Sequence, residues 1–255
     1  MSIANVVRLS LALSVALSAP VPARAQDLPG PDLGGHWRCT GSGIPATERS
    51  FFSIGPWVDR TKREIFSSAD TTTKEGLPAT SFERIAESLD GTVRVQALEG
   101  NGTLSAPTAS AWRFTGRSFD DAAPFTLMYA MEGGTLHRLA TRGTATVDDE
   151  RCTREPETPI APNCAQRNVP ATTLHAVEPE YPAEAIAKRA RGMVTVRLVL
   201  DDRSRVLWAD IDKSADPTLN DASVIAARDS TFRTAIVNCR PVAAVYFFGV
   251  EWDWR

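Results

Sequence analysis

The feature that most constrains the fold is an alternation close to the C-terminus. In the run Met193 to Leu200, the residues Val194, Val196, Leu198 and Leu200 recur at every second position. A period of two places them on one face of a β-strand, half buried. After Pro241 the pattern returns in Val242, Ala244, Tyr246, Phe248, Val250 and Trp252. The polar turn Asp201-Asp202-Arg203-Ser204 leads into a strand from Arg205 to Asp212, so the first two strands form a hairpin. Ala183 to Ala190 has helical composition, and Gly192 is expected to stop that helix. A second helix starts at Pro217-Thr218-Leu219 and runs to about Ser230, with Leu219, Ala222, Ser223 and Ala226 on its buried side. The order helix, hairpin, helix, strand describes a small α+β domain.

Upstream of it the chain changes character. Residues 1–25 read as an export signal, with Arg8 as the charged end, an apolar run from Leu9 to Ala19, and Ala23-Arg24-Ala25 as the cleavage region. The apolar run is about half the roughly 20 residues that span a bilayer, and Pro20 and Pro22 follow it. The expectation is cleavage after Ala25 and a periplasmic protein; an uncleaved inner-membrane anchor is the alternative. The 28 basic and 31 acidic residues nearly balance, so charge gives no case for nucleic acid.

Residues 33–154 read as all-β. Apolar alternation recurs in Val93/Val95/Ala97, Trp112/Phe114 and Phe125/Leu127/Tyr129/Met131, with glycines and prolines between the runs. Short strands with regular turn signals imply a meandering barrel or a sandwich. The opening Gly35-x-Trp37 is similar to the start of a lipocalin, which makes a lipocalin-like barrel one candidate. Residues 155–173, rich in proline at their start, read as a stiff linker to the C-terminal domain, residues 174–255.

Four cysteines in an exported chain favour disulfides. The pairing Cys39–Cys152 and Cys164–Cys239 brackets one domain with each bridge. No CxxC spacing occurs, and His36, His137 and His175 are scattered, so no metal site and no cofactor is expected. Gly41-Ser42-Gly43 lacks the spacing of a nucleophile elbow. Asp148-Asp149-Glu150 reads as a solvated turn, His137 as an ordinary histidine, and Trp57, Trp112, Phe125 and Tyr129 as core. No catalytic constellation remains, and the expectation is a protein that is not an enzyme.

The C-terminal residues resemble the C-terminal domain of the TonB family over about 174–254. The carriers are Tyr181-Pro182, the Ala185 helix, Gly192-Met193-Val194-Thr195-Val196, Ser214, Leu219-Asn220-Asp221-Ala222, Phe232 and Pro241-Val242. The sequence departs from the family in having no glycine in the hairpin turn and no proline after Phe232. The resemblance implies a three-stranded antiparallel sheet with the first strand in the middle, helices on one face and the last strand at an edge. It implies that this edge receives an extended segment of an envelope protein, such as an outer-membrane transporter. The contact residues would be Val245, Phe247, Gly249 and Glu251 on the strand, with Glu178, Glu180, Tyr181 and Pro182 beside it. Pairing of two copies through the same strand is the competing use of the edge. The alternative function is a small-ligand carrier built on the β domain, with the C-terminal domain as tether.

Overall fold

The computed structural model describes residues 29–41, 44–73, 76–157, 164 and 167–253. The expected export signal and its cleavage point lie outside them. The described residues divide into two compact units, one ending at Glu157 and one beginning at Cys164.

The first unit is a barrel of ten strands. They are β1 (Gly35–Gly41), β2 (Ile44–Ile54), β3 (Thr61–Thr72), β4 (Pro78–Ser88), β5 (Val93–Gln96), β6 (Gly100–Leu104), β7 (Ala111–Ser118), β8 (Pro124–Glu132), β9 (Thr135–Arg142) and β10 (Ala145–Arg154). Each pairs antiparallel with its neighbour in sequence, and β10 pairs with β1 to close the ring. The closed ring excludes the sandwich. It also has ten strands where a lipocalin has eight. At the seam Cys39 lies directly opposite Cys152, and a disulfide joins them. Tight turns hold the meander: Gly133 and Gly134 both take positive φ, at 58° and 87°, which a two-residue hairpin loop of matching twist requires. The alternating apolar residues point inward, and Trp37, Phe51, Val95, Phe114, Leu127 and Leu136 are fully buried there. Trp37 anchors the entry segment by donating its indole N–H to the Leu33 carbonyl at 2.8 Å.

The second unit begins with β11 (Asn168–Val169) and β12 (Thr172–His175), followed by α1 (Ala183–Lys188), β13 (Gly192–Leu200) and β14 (Val206–Ser214). A 3₁₀ turn at Pro217–Leu219 leads into α2 (Asn220–Asp229). Then come β15 (Thr231–Arg233), β16 (Ala235–Val237), β17 (Arg240–Val242) and β18 (Ala244–Trp252). The main sheet has the order β14-β13-β18, antiparallel throughout. Its core face carries Val194, Val196, Leu198, Leu200, Phe248 and Val250, packed with Leu219, Ala227 and Phe232.

Four local features refine the reading from the sequence. First, Gly192 does not cap the helix. The residue with left-handed backbone is Arg189, at φ 51°, and its N–H bonds back to the last turn. Gly192 instead starts β13 at φ 118°, where a Cβ would come within 2.6 Å of the Ala215 methyl. Second, the hairpin turn needs no glycine. Asp201 is fully buried and its carboxylate accepts the backbone N–H of Arg203 and Arg205 and the Arg205 guanidinium, at 2.7–2.9 Å. That turn holds Ser204 at φ 69°, and its hydroxyl accepts the Thr234 N–H at 2.9 Å. Third, the second face of the sheet is not open: Arg197 and Val199 are buried as fully as the core residues. They lie on the central strand, opposite Asp210 and Trp208 on one side and Phe247 and Val245 on the other. Large neighbours on both flanks cover them. Fourth, the expected linker is structured where it meets the second unit. Asn168–Val169 pairs with β16, Thr172–His175 pairs with β15, and Cys164 is bonded to Cys239.

Candidate partner-binding strand edge

The geometry of β18 follows from one hydrogen bond on the far side of the sheet. Ala215 donates its N–H to the Met193 carbonyl at 3.1 Å, bracketing the pair Val194–Ser214. Val194 therefore turns its own N–H and C=O the other way, towards β18, because backbone groups alternate along an antiparallel strand. The β13–β18 register runs without a bulge from Gly192–Trp252 to Leu200–Ala244. It follows that Ala244, Tyr246, Phe248, Val250 and Trp252 bond to β13. Val245, Phe247, Gly249 and Glu251 present their backbone groups on the opposite edge. Among the described residues no strand pairs with β18 there.

The strand Ala244–Trp252 has Glu251 as its one charged residue. Phe247 stands on the side away from the core and is 42 % exposed. An edge so thin in charge has little protection against pairing with another strand.

Tyr181 reaches the end of this strand. Its ring packs edge-on against Trp252, and its hydroxyl donates to the Ala190 carbonyl. Burial raises the Tyr181 phenol above its ordinary value, with Asp253 and Asp216 adding to it. Trp252 is itself held from behind, its indole N–H donating to Ser223 Oγ at 3.1 Å. Pro182 is the N-cap residue of α1 and its carbonyl accepts the Ile186 N–H at 2.9 Å. Tyr181 and Pro182 thus serve the packing of the unit, whatever else they touch. Glu178 and Glu180 are exposed in the segment leading to Tyr181. That segment is tied to the end of α2 where Val177 donates its N–H to Ser230 Oγ at 2.9 Å.

Residues 177–254 match the family model of the Gram-negative bacterial TonB protein C-terminal. No curated protein matches the chain, and no solved structure matches it. The match lies within the second unit, beginning after β11 and β12, and stops short of the barrel. TonB-like C-terminal domains are envelope-associated interaction domains without enzymatic activity, and no described helix here is long and apolar enough to cross a membrane.

The barrel holds a group of residues that sequence reasoning passed over. Arg138 is buried on β9 and its guanidinium contacts Glu83, Glu99 and Asp148. Arg49 on β2 bonds Glu150 at 2.7 and 3.0 Å and lies 3.2 Å from Glu83. Tyr129 donates its hydroxyl to the same Glu83 carboxylate. Asp148 and Glu150 are therefore not a solvated turn: they sit on β10 and answer the two arginines. His137, 8 % exposed, bonds Asp149 at 2.8 Å. The signal was present, since Glu83, Arg138 and Glu150 each lie two residues from an inward apolar neighbour, Ile85, Leu136 and Cys152. Such a network in an interior otherwise filled by Trp112, Phe125 and other aromatics fixes strand register more than it suggests chemistry. One cluster of metal-ligand type occurs among the described residues, Cys39, Glu150 and Cys152, and its cysteines are consumed by the disulfide.

Proposed function

We propose that the TonB-like unit is an interaction module that accepts an extended segment of an envelope partner as a fourth strand beside β18. The carrying observation is the outward set of backbone groups at Val245, Phe247 and Gly249. In strand addition those groups supply affinity, and the side chains on either side of the new strand supply selectivity. Phe247 offers an apolar contact at the centre of the edge. Glu178 and Glu180 offer carboxylates to basic side chains of the incoming segment. The family resemblance points to a periplasmic segment of an outer-membrane transporter as the partner. Cleavage of the export signal read from residues 1–25 would release the chain as a periplasmic binder, and an uncleaved signal would leave it anchored at the inner membrane.

A Phe247→Pro variant tests this reading, because proline removes one N–H from the edge while the side chain it replaces lies outside the core. Calorimetry with a synthetic transporter segment should show binding to the native protein and at least a tenfold loss in the folded variant. Unchanged binding rules out strand addition at this edge. If the native protein instead pairs with a second copy through β18, sedimentation will show a dimer that the proline disperses.

A further inference from the structure

We propose that the outer wall of the barrel over β5, β6 and β7 carries a groove for an acidic saccharide. The wall dips there for a structural reason. β5 has 4 residues and β6 has 5, whereas the neighbouring β3 and β4 have 12 and 11. The short strands leave a depression of about 430 Å³ beside the taller ones. Its volume lies within the roughly 300–1,000 Å³ range of small-ligand sites, which suits two or three sugar rings better than a single inorganic anion.

The side chains over this depression form two cross-strand rows. Arg94 lies opposite Thr103, and Thr103 opposite Thr115. Arg84 lies opposite Gln96, and Gln96 opposite Asn101. All six line the groove, and all but Arg84 are exposed. Arg84 is held by Glu64 at 2.8 Å, so it acts there as a positioned hydrogen-bond donor rather than a net charge. Arg94 is exposed, its guanidinium reaching Ser88 Oγ at 3.3 Å with the Asp90 carboxylate nearby.

The charge pattern sets the ligand class. From Val93 to Ser118 the chain has three arginines, Arg94, Arg113 and Arg117, and one acidic residue, Glu99. Glu99 is turned to the interior network, 3.2 Å from Arg138. On the outer face of this wall Arg94, Arg113 and Arg117 stand with Asp90 as the neighbouring carboxylate that acts on Arg94, in a chain whose formal net charge is −3. A guanidinium takes a carboxylate through two parallel hydrogen bonds. The carboxamides of Gln96 and Asn101 and the hydroxyls of Thr103 and Thr115 both donate and accept, as sugar hydroxyls do. No aromatic ring lines the groove, so nothing there stacks a nucleobase, and a sugar acid fits where a nucleotide strand does not.

The test is an NMR titration of the intact disulfide-bonded protein with trigalacturonic acid, maltotriose and inorganic phosphate in parallel. The acidic trisaccharide should shift the side-chain amides of Gln96 and Asn101 and the backbone amides of Thr103 and Thr115, with half-saturation at or below about 1 mM. Maltotriose should bind at least tenfold more weakly, and Arg94→Ala should weaken the acidic ligand at least tenfold while leaving the barrel's circular dichroism unchanged. Shifts that phosphate alone reproduces overturn the saccharide assignment. So do shifts at other residues, the absence of saturable shifts, or full affinity in Arg94→Ala. None of these outcomes depends on β18, so the strand-addition reading stands or falls separately.

Discussion

Tyr181 meets Trp252 edge-to-face, with ring centroids 4.8 Å apart and ring planes at 78°. The contact joins the segment before α1 to the last turn of β18, so the packing of that segment and the end of the candidate binding strand are one structural problem. Tyr181→Ala should destabilise the TonB-like unit by about 2–3 kcal/mol, through lost apolar burial and the lost aromatic pair. Tyr181→Phe, which removes only the hydroxyl bond to Ala190, should cost about 1 kcal/mol. Urea unfolding followed at the second unit checks both; equal costs for the two would show that the ring contact contributes nothing.

Arg138 is the residue on which the barrel's interior charges converge. Its removal leaves Glu99 and Asp148 without that guanidinium in a poorly solvated space, and leaves Glu83 with Arg49 and Tyr129 alone. Breaking a buried ion pair from one side typically costs about 3–5 kcal/mol, and Arg138→Met should lower barrel stability by that order. The double variant Arg138→Met with Glu83→Gln should recover part of it. A double variant less stable than the single one would show that Arg49 and Tyr129 hold the Glu83 charge without Arg138.

The same network gives the barrel an optimum in pH. Burial raises the Asp148 carboxyl from 3.8 to about 6, against the pull of Arg138. The folded state then binds more protons than the unfolded state between those values, so this group's contribution falls as pH rises through about 6. Glu83 goes the other way. Burial opposes its ionisation, but Arg138 and Arg49 outweigh burial and bring it from 4.5 to about 2. Its contribution is present above 4.5 and is lost as pH falls towards 2. Thermal melts of the barrel between pH 3 and 8 should therefore peak near pH 4–5, and Asp148→Asn should flatten the upper side of the curve. A native melting temperature that climbs steadily to pH 7 would contradict this.

Each unit contains its own disulfide, with sequence separations of 113 and 75. Loops of that length are worth about 4–5 kcal/mol in the chain-entropy model. Replacing Cys39 and Cys152 by serine should lower the barrel's unfolding transition and leave that of the TonB-like unit in place. Replacing Cys164 and Cys239 should do the reverse. Peptide mapping without reductant should find these two linkages, and one transition moving with both replacements would show that the units do not unfold separately.

The C-terminal sheet was legible because its side chains alternate over long, unbroken runs: Val194 to Leu200 and Ala244 to Trp252 leave one register that buries the apolar set. The barrel was legible as β but not as a closed ring, since closure depends on β1 meeting β10, a pairing 113 residues apart at the cysteines with no local signal. Arg189 and Ser204 were missed because the backbone bonds of the helix end and the buried Asp201 turn hold them in left-handed backbone that sequence rules reserve for glycine. The buried ions were missed because Asp148, Asp149 and Glu150 are adjacent in sequence and look solvated together. Alternation sends Asp148 and Glu150 inward and Asp149 to His137. For the candidate edge, the family resemblance supplied the residue set, and the hydrogen bond from Ala215 to Met193 supplied the direction of its backbone groups.

The most direct test of the strand-addition account is amide hydrogen exchange along β18, with and without a saturating synthetic transporter segment. The account predicts an alternating pattern: Val245, Phe247 and Gly249 gain at least tenfold protection, while Tyr246 and Phe248, already bonded to β13, change little. Segment binding without protection at Val245, Phe247 and Gly249, or with protection confined to another surface, would contradict it.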